Sequence, residues 1–199
     1  MTTENRETFL NRITPILPPS EILDIEVAYA LTKDAHRGQT RKTLDSQGVP
    51  VRYFEHLRDA TLVLTDDLEI IERNMILGCM LHDGPEDTKN IHAQMIEHLF
   101  GKEVAQMVKL LTKNPKEGYY DRLMKHGTWE TLFVKGCDNL SNLRTLEGCD
   151  REFQVKTCKQ SREKIMPLMG RLTIIAPQLY RGSANKLASL IYAASGKYS

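Results

Sequence analysis

Apolar residues recur at intervals of three and four through nearly the whole chain, and that is the period of an α-helix. The stretch from Pro18 to Gly38 sets the pattern. Pro18-Pro19 precede Ser20 as an N-cap, Leu23, Val27, Ala30 and Leu31 form one stripe, and Gly38 is the stop. Residues 39–52 carry glycine, proline and polar side chains without a period, which predicts a loop leading into a helix over 54–65. Leu68, Ile71, Met75 and Cys79 mark the next helix, which is expected to end at Gly84-Pro85. Further helices are predicted over 91–99, 102–112, 119–126, from Trp129 to Leu146 behind a Thr128 cap, from Glu152 to Met166, and over 170–180 and 184–195. No strand alternation, hairpin dipeptide, internal repeat or low-complexity tract competes, so the expected fold is all-α with about nine to ten helices.

A chain of 199 residues with 41% hydrophobic composition can fill one core, so a single domain over 1–199 is expected, with the helices of 168–199 part of it. A net charge of +1, acids and bases interleaved, leaves no field of one sign for a nucleic-acid backbone or an anionic membrane. Cys79, Cys137, Cys149 and Cys158 form no CxxC pair and follow no signal peptide, which reads as reduced thiols in a cytoplasmic protein. No apolar run approaches the roughly 18 residues of a membrane helix.

The stretch Cys79-Met-Leu-His-Asp-Gly-Pro-Glu-Asp-Thr-Lys-Asn90 breaks this regularity. His82-Asp83 alone reads as a helix end, the imidazole capping carbonyls and the acid solvated. Glu86-Asp87 changes the weighing, because carboxylates crowded around a sharp break repel one another and favour a cation. A metal site built on His82 and Asp83 needs further ligands from elsewhere, and His56 and Asp138 are the candidates. His56 starts a helix among Tyr53, Phe54 and Leu57, where it could equally be a core histidine. Asp138 shares a polar stripe with Lys135, Asn142 and Thr145 on a helix otherwise covered by Phe133, Val134, Cys137, Leu140, Leu143 and Leu146, which predicts a polar cavity. Two imidazoles and two carboxylates suit manganese, iron or zinc better than calcium or magnesium. An ion in such a shell lowers the pKa of water and withdraws charge from a phosphoryl oxygen, with Glu86 and Asp87 placed to accept and donate protons.

The succession "AHRGQTRK", "YFEHL", "LHDGPEDT", "FGKEVAQMVKLLTK" and "VKGCDNLSNLRTL" resembles the hydrolase domain of the RelA/SpoT alarmone enzymes, in its small stand-alone form, over about residues 25–167. The resemblance implies an all-helical HD-domain fold, one manganese ion, and removal of pyrophosphate from the 3′ position of guanosine tetra- or pentaphosphate. It implies His56, His82, Asp83 and Asp138 as metal ligands, Glu86 and Asp87 as the catalytic acid pair, and Asn142 as a nucleotide contact in the pocket that Thr145 also faces. Arg41 and Lys42 match the pair that packs on the purine and reaches toward phosphate, roles that suit an arginine plane and a lysine point charge. The same chemistry on (p)ppApp or another 2′- or 3′-phosphorylated nucleotide, and a regulator with disabled catalysis, are the competing readings. His36, within the "AHRGQ" motif, is expected to be structural or to stand behind the ligands. Further phosphate contacts are expected from the helix after Glu152, where Lys156, Lys159 and Arg162 lie at spacing three, with Lys159 taken as a substrate contact. The family usually places two small or β-branched residues between HD and ED. Gly84-Pro85 here predicts a sharper break and a displaced acid pair, and the replacement of His-Pro by His56-Leu57 predicts a mild change.

Overall fold

The computed structural model describes residues 4–44 and 47–198, whose regular elements are helical apart from one small hairpin. α1 (Arg6–Ile13) was not among the expected helices. Its start is fixed by Asn5, whose side chain accepts from the Thr8 amide at 3.0 Å while the Thr8 hydroxyl accepts from the Asn5 amide at 2.9 Å. It packs on α2 (Pro19–Ala35), whose N-cap is Pro18 rather than Ser20. Pro19 occupies the first turn, where an N–H has no helical partner to lose.

β1 (Thr40–Leu44) and β2 (Pro50–Arg52) pair antiparallel, Thr40 opposite Arg52 and Leu44 opposite Pro50, with an irregular register between. This corrects the expected loop over 39–52, of which Asp45 and Ser46 lie outside the described residues. Both strands are short and largely exposed, so neither carries the alternation that marks a half-buried strand.

α3 (Tyr53–Leu62) follows at once and runs into a π-turn at Val63–Asp67. Glu69, at φ 56°, is left-handed and separates that turn from α4 (Arg73–Leu81). Leu68 and Ile71, expected on α4, therefore precede it. α4 stops at Leu81, and α5 (Gly84–Asp87) is a separate single turn that takes Pro85 into its first positions. The proline thus opens a helix rather than blocking one. α6 (Ala93–Phe100), α7 (Lys102–Leu111) and α8 (Tyr119–His126) come next, then α9 (Trp129–Arg144), capped by the Thr128 hydroxyl. Beyond a 3-10 turn at Leu146–Gly148, α10 (Arg151–Gln160) passes through a π-turn at Ser161–Ile165 into α11 (Met166–Ile175), and a last 3-10 turn leads to α12 (Arg181–Ser195). Among the described residues no helix is long and apolar enough to cross a membrane.

α9 is the central helix. Leu132, Phe133, Val134 and Cys137 are fully buried, and α9 packs against α3, α4, α7, α11 and α12. A Cβ on Gly78 of α4 would sit 2.5 Å from Met107 Sδ and 3.1 Å from Val134 Cγ2, so that glycine lets α4 lie close to α7 and α9. His56 on α3, His82 just past α4 and Asp138 on α9 are buried where the three helices meet.

Candidate metal centre and its cleft

His56 on α3, His82 just past α4 and Asp138 on α9 are all buried, and one ligand atom from each lies within 4.8 Å of the others. His56 Nε2 is 3.1 Å from Asp138 Oδ1, and its Nδ1 is held by Ser141 Oγ at 2.9 Å. His82 Nδ1–H donates to the Cys79 carbonyl at 2.9 Å, so Nε2 can carry a second proton or offer its lone pair. That nitrogen is buried with no hydrogen-bond partner, 3.1 Å from Asp83 Oδ2 and 3.6 Å from Asp138 Oδ1. Asp83 Oδ2 is also 3.8 Å from His56 Nε2. A lone pair directed at carboxylate oxygens is repulsive unless a proton or a metal cation lies between them, and a mixed nitrogen and oxygen donor set fits a borderline divalent ion. The residues present therefore fit a metal.

The electrostatics carry the same tension. Burial works against charging His82, yet Asp83 and Asp138 override it and hold its pKa well above the usual imidazole value. Burial likewise opposes ionisation of Asp83 and Asp138, and is overcome by His82 for Asp83 and chiefly by Lys135 for Asp138, so both stay below the usual carboxylate range. His56 behaves differently, because burial dominates and lowers its pKa. Lys135, itself buried, lies 2.7 Å from Asp138 Oδ2, while Asn142 Nδ2 donates to Oδ1 at 2.7 Å.

Two cavities open onto this cluster and share much of their wall, including Arg41, Lys113, Asp138, Asn142 and Phe153. The first, about 320 Å³, has His56, Asp83 and Asp138 in its wall together with Arg41, Lys42, Asp87 and Phe153. Arg41 Nη2 donates to Asn142 Oδ1 at 2.7 Å and lies 3.4 Å from Thr145 Oγ1, and Lys42 Nζ stands 4.8 Å over the Phe153 ring. The second, about 670 Å³, is lined by Glu86, Lys113, Lys116, Lys135, Thr145 and Lys156. The acid pair is thus divided, Asp87 facing the first lobe and Glu86 the second. Glu86 accepts from the Lys113 amide at 3.0 Å, and Asp87 from the Tyr53 hydroxyl at 2.7 Å. Gly84 fits the break because a Cβ there would meet Ile91 Cγ2 at 2.7 Å.

Lys159 and Arg162 are sequence-predicted residues that the fold does not bring to the cleft. The Lys159 side chain is 71% exposed, pairs with Glu163 at 3.8 Å, and lines a separate cavity with Arg162. On α10 it is Phe153, Lys156, Thr157 and Gln160, the i, i+3, i+4 and i+7 positions, that face the cleft. Sequence reasoning passed over Ser141, Tyr53, Lys113, Lys116 and Phe153. Ser141 could have been found as a neighbour three residues from Asp138 on α9, whereas nothing in the sequence shows where the Tyr53 hydroxyl points.

No protein-family model matches the chain. It is 29% identical over 180 residues to the bifunctional (p)ppGpp synthase/hydrolase SpoT of Escherichia coli K12, covering 84% of this chain and 24% of that protein. It is 30% identical over 165 residues to the guanosine-3′,5′-bis(diphosphate) 3′-pyrophosphohydrolase of Aquifex aeolicus, covering 78% and 22%. A GTP pyrophosphokinase rsh of Brucella melitensis is 27% identical over 190 residues, covering 82% and 24%. The chain spans about a quarter of the length of these curated relatives. A solved structure, described as a metazoan orthologue of SpoT that hydrolyses ppGpp, superposes with a TM-score of 0.61 at 21% identity, covering 89% of this chain and 97% of that one. The chain is a relative of the SpoT and Rsh proteins, and its fold is that of the metazoan SpoT orthologue.

Proposed function

We propose that the chain is a metal-dependent 3′-pyrophosphohydrolase that converts ppGpp and pppGpp to GDP and GTP plus pyrophosphate, as a single HD-type unit in the cytoplasm with manganese as its ion. The observation that carries this reading is the buried, unpartnered Nε2 of His82 beside His56, Asp83 and Asp138, at the floor of a cleft rich in cationic side chains. The hydrolase names of the relatives support the substrate class.

His56, His82, Asp83 and Asp138 would hold the ion. Bound there, a divalent ion supplies Lewis-acid withdrawal of charge from a phosphoryl oxygen and lowers the pKa of water into the neutral range. Arg41 and Lys42 bind the nucleoside end in the first lobe, the guanidinium plane stacking on the purine. Asn142 and Thr145 set the position of Arg41. Lys113, Lys116 and Lys156 take the phosphate charge in the second lobe. Of Glu86 and Asp87, one accepts a proton from the attacking water and the other protonates the departing oxygen, a division that needs their environments to differ. Their different partners, Lys113 for Glu86 and Tyr53 for Asp87, support that division and favour an active hydrolase over a disabled regulator.

The test is a panel of 3′-pyrophosphorylated guanosine and adenosine nucleotides incubated with protein and manganese, with products separated by chromatography. Pyrophosphate release from the guanosine forms is expected, and Asp83→Ala or Asp138→Ala abolishes it. Metal-loaded protein that leaves the tetraphosphate intact would falsify the reading, and turnover of the adenosine forms alone would transfer it to those substrates.

A further inference from the structure

His36 and Gln39, the polar side chains of the "AHRGQ" motif, are not among the proposed ligands, yet both lead to Asp87. We infer that His36, Gln39 and Tyr53 form a bracket that fixes the Asp87 carboxylate beside the candidate metal ligands, with Tyr53 as its positioning residue. The inference rests on the hydrolase reading only for what the bracket is used for.

α5 is a single turn of four residues, and Thr88 after it is already extended. One turn fixes its dihedrals for very few hydrogen bonds and has no stability of its own, so Asp87 must be held from outside. Two contacts do so. The Tyr53 hydroxyl lies 2.7 Å from Asp87 Oδ2 and equally 2.7 Å from Asp83 Oδ2, so its single proton is shared between the acid and a candidate ligand and one rigid ring links the two. Gln39 Nε2 donates to the Asp87 carbonyl at 2.9 Å, holding the backbone of the same residue. Both contacts trace back to His36, which is 2% exposed. Its Nδ1–H donates to Gln39 Oε1 at 2.7 Å, since an amide oxygen only accepts, and its ring lies flat on Tyr53 with centroids 4.9 Å apart and planes 8° apart. The Tyr53 amide also donates to the Gln39 carbonyl at 2.9 Å, so the two arms share a backbone link. The Glu86 side chain meets only Lys113 among the described contacts, whereas Asp87 is held from outside α5 through both its carboxylate and its carbonyl.

Tyr53→Phe removes the hydroxyl and keeps the stacked ring; Gln39→Leu removes the other arm without touching Asp83. In the metal-free protein, amide hydrogen exchange at Asp87 and Thr88, whose N–H groups bond to the Asp83 and Gly84 carbonyls, is expected to speed up about tenfold in each variant while α9 is unchanged. At saturating manganese, kcat on the tetraphosphate should fall about 10- to 100-fold with KM within about threefold. Because Tyr53 acts through Asp87, Tyr53→Phe should cost less than about twofold in an Asp87→Asn background. Unchanged exchange in both variants, or a full penalty persisting in that background, overturns the bracket. If the wild type turns over no nucleotide, the hydrolase reading falls and the exchange arm alone still decides the bracket.

Discussion

Asp138 is a carboxylate withdrawn from water and then compensated by Lys135, His56, His82 and Asn142. Removing one member of such a buried pair leaves the other uncompensated, at a cost of about 3–5 kcal/mol. Lys135→Met is therefore expected to lose about that much stability in chelator and to regain part of it with manganese, since a cation replaces the missing charge. Urea titrations with and without metal check this, and an equal loss in both arms would refute it. Asp59 poses the opposite problem, because burial raises its pKa and Arg58 only partly offsets that. A raised carboxylate pKa penalises the fold above the unfolded value of about 3.9, and the penalty is absent below it. Asp59→Asn should accordingly raise Tm at pH 7, with the gain fading to nothing near pH 4. A pH-independent difference between the two proteins would contradict it. What could be read at this scale was charge crowding: His82, Asp83, Glu86 and Asp87 announce themselves because four ionisable groups in six residues need a reason. Tyr53 does not, since its part depends on where one hydroxyl points. Lys159 misled because residues spaced by three drift around a helix, so one basic run faces two sides.

Among the elements, α5 is the one whose geometry was hardest to foresee. Gly84-Pro85 announced a break, and the break is a new one-turn helix packed on Ile91, which is 2% exposed. Gly84→Ala would place a methyl 2.7 Å from Ile91 Cγ2, and overpacking of this kind costs about 1–3 kcal/mol. It should also push Glu86 and Asp87 off their partners and lower turnover at least tenfold, whereas Pro85→Ala, at a position with no hydrogen bond to lose, should change turnover little. Adding Ile91→Ala to Gly84→Ala makes room, so the double variant should be less destabilised than the two single losses together. Strict additivity in a thermal-unfolding cycle would show that the glycine is not there for Ile91. The long helices were legible because each buries a periodic stripe. The hairpin was not, because its two exposed strands draw their definition from pairing and from the turn at Leu146–Gly148 against which β1 packs. α1 escaped for a related reason, since Thr8 completes its cap where a glutamate or glutamine is the usual signal.

Taken whole, the molecule brings its candidate ligands from α3, the end of α4 and α9, segments separated by up to 82 residues, into one buried cluster. That convergence was legible because each residue lies in a locally recognisable pattern. The lysine lobe was not, since Lys113 and Lys116 sit in the connection between α7 and α8, where no period reports which way a side chain turns. An ion joining three helices binds the folded chain alone, so it must stabilise the whole fold. At a hundredfold excess over Kd the gain is about 2.7 kcal/mol. For a chain of this size that corresponds to a rise in Tm of about 5–10 °C. The mixed imidazole and carboxylate set makes manganese or zinc more effective than calcium or magnesium, which prefer oxygen ligands. Asp138→Ala should remove the shift altogether, and the added hydrogen-exchange protection should concentrate in α3, α4 and α9 rather than α12. A wild-type Tm indifferent to manganese, or moved as far by magnesium, would mean that the unpartnered nitrogen of His82 has a proton for its partner and the cluster is an ion-paired core instead of a metal centre.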